Sequence, residues 1–226
     1  MEKRIVSGKG IEIARQGKGV SISQGGVQIR HEGKPVKSSE TKAGFVYVLL
    51  DCSTSMEGDK IEQAKKGALS YAKDALSKGY LIGLITFSSE ADHVCEPQKQ
   101  LSILKRNLEG IIALGTTNMT EAIYLAAMKI RSKIGHRAIV IATDGMPDNK
   151  STTLEAAKKA KENGIQIDAI GTDDADQYFL KKLASRPELG IKVPREQFEK
   201  GIASAAKSLP LLLGDGRSKS EQKGTQ

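Results

Sequence analysis

Six consecutive apolar residues, Phe45-Val46-Tyr47-Val48-Leu49-Leu50, run straight into Asp51. A run this short, rich in β-branched and aromatic residues and without alternation, suits a strand covered on both faces, which places it centrally in a sheet. From Lys60 to Lys78 the pattern changes to helical spacing, with Ile61, Ala64, Ala68, Tyr71, Ala72 and Ala75 on one side and Gly79 as the stop. A second strand is predicted at Tyr80–Phe87 and a short edge strand at Ala91–Glu96. Helices are predicted over Gln100–Ile112 and Thr120–Lys133, then a strand over Arg137–Thr143 and a helix over Thr152–Asn163, stopped by Gly164. A strand over Ile165–Gly171, a helix over Gln177–Ser185, an edge strand over Ile191–Pro194 and a helix over Glu196–Leu213, interrupted by Pro210, complete the series. Such alternation predicts an α/β fold, a Rossmann-like open and mostly parallel sheet with helices on both faces. Ligands of these folds sit at the carboxyl edge of the strands.

Before this body stand three short alternating stretches, Ile11-Glu12-Ile13, Val20-Ser21-Ile22 and Val27-Gln28-Ile29, each introduced by glycines. They predict a small β-meander, followed by a polar linker from His31 to Lys42. The expected division is a basic β-rich extension and linker over 1–42, the α/β domain over 43–213 and a disordered tail over 214–226, rich in Gly, Ser, Lys and Gln.

Charge is uneven. Of the net +8, residues 1–43 hold a surplus of five, nine basic against four acidic. A basic arm suits nucleic acid or an acidic partner, but without interleaved aromatics it reads more simply as a solvated charged segment, so nucleic acid is not the expected partner. With no Trp and 4% aromatic residues, neither an aromatic-lined pocket nor a base-stacking surface is expected. No apolar run approaches membrane-helix length, and MEKRIVSGKG lacks the apolar stretch of a secretory signal. Cys52 and Cys95 are too sparse for a disulfide framework. A soluble protein of the cytoplasm is the expectation.

The informative residues fall on three loops at the predicted carboxyl edge. Asp51-Cys52-Ser53-Thr54-Ser55 follows the first strand of the body, and alternate residues of an extended loop point the same way, so Asp51, Ser53 and Ser55 can present oxygens to one centre. Gly115-Thr116-Thr117-Asn118 stands just before a helix, and Ala142-Thr143-Asp144-Gly145 ends a strand. Singly, Asp51, Thr117 and Asp144 are more often helix caps or turn formers. Jointly they make an oxygen-only set without His or Cys, suited to Mg²⁺, Mn²⁺ or Ca²⁺ and not to zinc.

This combination resembles the von Willebrand factor type A (VWA) domain, in which a DxSxS loop, a threonine loop and a later aspartate form the metal-ion-dependent adhesion site. The likeness spans roughly Lys42–Leu213. It implies Ser53, Ser55 and Thr117 as direct ligands of the cation, with Asp51 and Asp144 acting through bound water. The family usually has Gly-Gly-Thr-Asn where this chain has Gly115-Thr116-Thr117-Asn118, which aligns Thr117 with the ligand threonine. Hydroxyl ligands neutralise little of a cation's charge, so the metal still seeks an anionic oxygen, an Asp or Glu of a protein partner. The resemblance also suggests an intracellular assembly working with an AAA-type ATPase.

Around this set, Glu57, Thr116, Asn118, Asp173 and Asp174 are candidates for a rim that contacts the partner, the aspartates as an acidic edge. Asp59 is expected to cap the helix beginning at Lys60, and one aspartate of the 173–176 stretch to cap the next helix. Cys52 is expected to be a packed thiol, and His31, His93 and His136 are not placed to activate Ser53 or Ser55. The expected protein is therefore not an enzyme. The enzymatic alternative is Mg²⁺-dependent phosphoryl transfer on Asp51, but Ser53 stands where that chemistry wants a second carboxylate.

Overall fold

The structure is a computed structural model that describes residues 43–212 in full, together with the backbone of four strands between residues 4 and 31. The chain divides into two units, Met1–Glu40 and Thr41–Gln226. The first contains β1 (Arg4–Ser7), β2 (Ile11–Gln16), β3 (Gly19–Gln24) and β4 (Val27–His31), an antiparallel meander in that order. Three of these strands match the predicted stretches. The fourth, β1, comes in addition and pairs Arg4–Ser7 with Ile11–Ala14. The rest of the expected linker and the tail from residue 214 lie outside the described residues.

The second unit is built on β5 (Gly44–Asp51), β6 (Tyr80–Phe87), β7 (Ala91–Gln98), β8 (Arg137–Thr143), β9 (Ile165–Gly171) and β10 (Gly190–Lys192). Their order is β10-β9-β8-β5-β6-β7, with β7 antiparallel and every other pairing parallel. The helices are α1 (Asp59–Ser77), α2 (Leu101–Glu109), α3 (Met119–Ile130), α4 (Lys150–Glu162), α5 (Gln177–Leu183) and α6 (Phe198–Ala205). No helix among the described residues is long and apolar enough to cross a membrane.

The apolar run that opens the body is the central strand, and it is covered twice. Val46, Val48 and Leu50 pack with α1, α2 and α6, while Tyr47 and Leu49 pack with α3, α4 and α5. All five are fully buried, and each large apolar side chain so removed from water stabilises by about 1.5–3 kcal/mol. From β5 the chain crosses to β6 on one side and later returns to β8 on the other. That reversal opens a crevice where β5 ends at Asp51 and β8 at Thr143.

Beyond shifts of a few residues at the ends of other elements, three departures from expectation concern how the helices begin and end. The second helix stops at Glu109, before Gly110, and the chain beyond it runs on with Ile111 and Ala113 against the core and Ile112 and Leu114 outward. Asp59 does not cap α1. It is the first residue of the helix and takes the Gln63 amide, and the cap position is Gly58. The closing helix is only α6, flanked by short turns, and Leu209 is extended because a residue before proline is pushed out of the helical region.

Gly190 marks the closest backbone approach. A methyl group there would strike the Leu180 carbonyl and lie 2.6 Å from the Lys181 nitrogen. Gly190→Ala is expected to cost about 1–3 kcal/mol, read as a lower urea midpoint at unchanged slope.

Candidate metal centre at the sheet edge

Parallel pairing of β5 with β8 sets Asp51 beside Thr143. Asp51 is fully buried, its Oδ1 accepting the Ser53 amide at 2.9 Å and its Oδ2 the Thr143 hydroxyl at 2.5 Å. Burial pushes its pKa up to about 6, against the opposing pull of those hydrogen bonds. Its charge is thus held by neutral dipoles alone.

After Asp51 the loop does not stay extended, as expected, but turns. Ser53 is extended, then Thr54–Met56 forms a single 3₁₀ turn whose Met56 is buried as an anchor. The turn still brings the Ser53 and Ser55 hydroxyl oxygens to 3.1 Å of each other. Cys52 faces away as a packed thiol, donating to the Leu50 carbonyl at 3.4 Å, and burial pushes its pKa up to about 12.

The threonine loop is pinned to this turn through its backbone. Leu114 N donates to the Cys52 carbonyl at 2.7 Å, and Thr54 N to the Gly115 carbonyl at 3.0 Å. Gly115 is required: its φ of +88° favours glycine, and a side chain would press on the Ser89 hydroxyl 2.6 Å away. Two residues on, Thr117 donates its amide to Asp148 Oδ1 at 3.1 Å, while its half-buried hydroxyl is unpaired among the described residues. Asp148, which the sequence reading missed, also accepts the Thr116 hydroxyl at 2.9 Å. A cleft of about 440 Å³ opens beside Thr117, lined also by Asn118, Thr120, Tyr124 and Asp148.

Asp144 follows β8 and is 2% exposed. Its Oδ1 accepts the Ser55 hydroxyl at 2.8 Å, and its Oδ2 forms a tight ion pair with Lys60 Nζ. Burial works against the Lys60 charge, but the hydrogen bonds and charges of Asp144 and Asp173 outweigh it and hold the ammonium pKa above its usual range. Lys60 is the second residue the sequence reading missed. A lysine in the first turn of a helix opposes the helix dipole, so its placement there signals a nearby acid.

Of the rim candidates, Glu57 and Asp174 are exposed. The Asp174 amide donates to the Asp144 carbonyl at 2.9 Å. Asn118 caps α3 by accepting the Glu121 amide at 3.3 Å. Asp173 is not a bare acid: Arg195 donates to it at 3.0 and 2.6 Å and Lys60 lies 3.2 Å away, which holds its pKa below the usual carboxylate range. Asp176 caps α5, as expected for one aspartate of this stretch. His93 and His136 bond to Tyr47 and Tyr80, not to the serines.

Among the described residues no three His, Cys, Asp or Glu side chains converge to hold a metal, so a cation at this edge depends on hydroxyl oxygens. Residues 46–205 match the von Willebrand factor type A domain. The chain belongs to the VWA family. A mono-ADP-ribosyltransferase of Mus musculus, PARP4, is 27% identical over 144 residues, 62% of this chain and 7% of that protein. The thrombospondin-related anonymous protein of Plasmodium falciparum is 25% identical over 141 residues, 56% of this chain and 25% of that protein. The chain thus spans a quarter or less of the length of either relative. Among solved structures, proximal thread matrix protein 1 from the mussel byssus, with a zinc-occupied MIDAS motif, superposes with a TM-score of 0.63 at 15% identity. That match covers 73% of this chain and 46% of the other, and it shows a shared fold.

Proposed function

We propose that this VWA domain is a metal-dependent interaction module that binds an acidic side chain of a protein partner through a divalent cation. Ser53, Ser55 and Thr117 hold the cation directly, and Asp51 and Asp144 act through water. The observation that carries this reading is the serine pair. Its oxygens are 3.1 Å apart, and since the Ser55 proton is directed to Asp144 it is Ser53 that donates to Ser55, which leaves a lone pair on Ser55 and both on Ser53 for a cation. Adjacent ligands of an octahedral Mg²⁺ at about 2.1 Å stand roughly 3.0 Å apart, whereas around Ca²⁺ they would spread to about 3.3 Å or more. The 3.1 Å spacing lies between these values and is compatible with Mg²⁺, Mn²⁺ or Ca²⁺. The unpaired Thr117 hydroxyl supplies the third oxygen, and the zinc reported in the MIDAS motif of the mussel protein is a precedent on the same fold.

When bound, the cation supplies an electrophilic position for a carboxylate oxygen. The protein's own part is to keep its carboxylates off that position. Both Asp51 oxygens are taken by Ser53 and Thr143, and both Asp144 oxygens by Ser55 and Lys60. The same engagement speaks against aspartyl phosphoryl transfer, because a fully buried Asp51 with both oxygens occupied presents no nucleophile. The proposed setting is the cytoplasm, where an AAA-type ATPase is the partner class that the family resemblance suggests.

Isothermal titration with Mg²⁺ and Mn²⁺ tests the site. Wild type is expected to bind one ion, with affinity lost in Asp51→Ala and reduced about tenfold or more in Ser53→Ala. Equal binding by all three would remove the site. A pull-down with and without EDTA, comparing wild type with Asp51→Ala, tests the partner.

A further inference from the structure

Lys60 sits in the first turn of α1, where the helix dipole repels a cation, and its side chain is only 13% exposed. Its ammonium is held between Asp144 and Asp173. Asp173 in turn is held in place from two sides. Its backbone is left-handed, with φ +46°, the one such non-glycine among the described residues, and Arg195 clamps its carboxylate by donating Nε to both oxygens and Nη2 to Oδ2. Asp144 Oδ1 takes the Ser55 hydroxyl, so Lys60 closes the last free oxygen of that carboxylate. One hydrogen-bonded chain thus joins three carboxylates, Asp51, Asp144 and Asp173, to two cations, Lys60 and Arg195, while Asp148 and Asp174 add further acids at the same edge.

We propose that Lys60 sets the charge balance of the metal centre and thereby makes it select a carboxylate ligand. This inference rests on the metal-site reading above and extends it. Lys60 makes this edge one charge less negative, so a divalent cation bound there keeps one more unit of its positive charge unneutralised. That surplus is what one carboxylate of a partner neutralises. Without Lys60 the same cation would meet one more negative charge and attract an acid less strongly. Lys60 thus trades metal affinity for ligand affinity, and a change at this residue moves the two in opposite directions. It also keeps Asp144 from turning its Oδ2 onto the cation and filling the position a partner needs.

The test uses the full chain, Mn²⁺ alone as the first probe and glutarate as the second. Mn²⁺ affinity is read by calorimetry, and glutarate is titrated into Mn²⁺-saturated protein while water-proton relaxation is followed. Lys60→Met is expected to bind Mn²⁺ about tenfold more tightly and glutarate about tenfold more weakly than wild type, with Lys60→Arg close to wild type on both. Should Lys60→Met fail to fold by circular dichroism, Asp173→Asn removes one negative charge instead and is expected to weaken Mn²⁺ and strengthen glutarate binding. Wild type that binds Mn²⁺, with folded variants that leave both affinities unchanged or move them in the same direction, overturns the role of Lys60 alone. Wild type that binds no Mn²⁺ overturns the metal site and this inference together.

Discussion

Asp51→Asn is expected to stabilise the metal-free protein near neutral pH by about 1–3 kcal/mol while abolishing its stabilisation by Mg²⁺ or Mn²⁺. Asp51 is fully buried, and burial, partly offset by hydrogen bonds from Ser53 and Thr143, raises its pKa from 3.8 to about 6. The folded state therefore binds this proton more readily than the unfolded chain does. Stability from this group is present below the unfolded value, falls as pH rises from about 4 to 6, and stays lost above that. The full difference corresponds to about 3 kcal/mol, and asparagine removes it while keeping one oxygen for the Ser53 amide. The wild type recovers stability from the metal instead, about 2.7 kcal/mol when the ion is at a hundred times its dissociation constant. Urea denaturation in EDTA and in excess Mg²⁺, across pH, measures both halves. An asparagine variant less stable than wild type in EDTA near neutral pH would refute the account of Asp51.

Asp144→Ala is expected to act with the opposite sign, destabilising the metal-free protein by about 2–4 kcal/mol. The two carboxylates look alike in sequence, Asp51 ending a strand and Asp144 directly following one. Asp51 is hydrogen-bonded only by neutral groups and also feels the negative charge of Asp144, whereas Asp144 has the Lys60 ammonium at 13% exposure and the Ser55 hydroxyl. Truncating one partner of a largely buried ion pair strands the other, and among the described residues Asp173, already clamped by Arg195, is then the one ion-pair partner left to Lys60. The same denaturation series measures this effect. High salt is expected to reduce it only modestly, because a pair this enclosed is poorly screened. A neutral Asp144→Ala would mean that Lys60 relaxes into solvent without cost.

What could be read in the chain alone was whatever is written in local pattern. An unbroken, β-branched and aromatic run at Phe45–Leu50 suits a strand with two covered faces, and the helical spacing from Lys60 onward is likewise a local pattern. The oxygen-bearing residues of the three loops could be placed at one edge for the same reason, since each follows a strand or precedes a helix in a parallel sheet. Endings were less legible. The stop of α2 at Glu109 came before the apolar spacing ran out, and Asp59 took a neighbour's amide where a cap was expected, whereas the break before Pro210 was legible because proline acts locally.

Tertiary structure alone decided how each charge is balanced. Sequence marks Asp51, Asp144 and Asp173 as three acids at one edge, and nothing local separates them. Register puts Thr143 on Asp51, the first turn of α1 aims Lys60 at Asp144, and the chain before α6 brings Arg195 to Asp173. These partners lie 92, 84 and 22 residues apart in the chain. Electrostatic energy depends on distances through space, and only the packed sheet and helices set those distances.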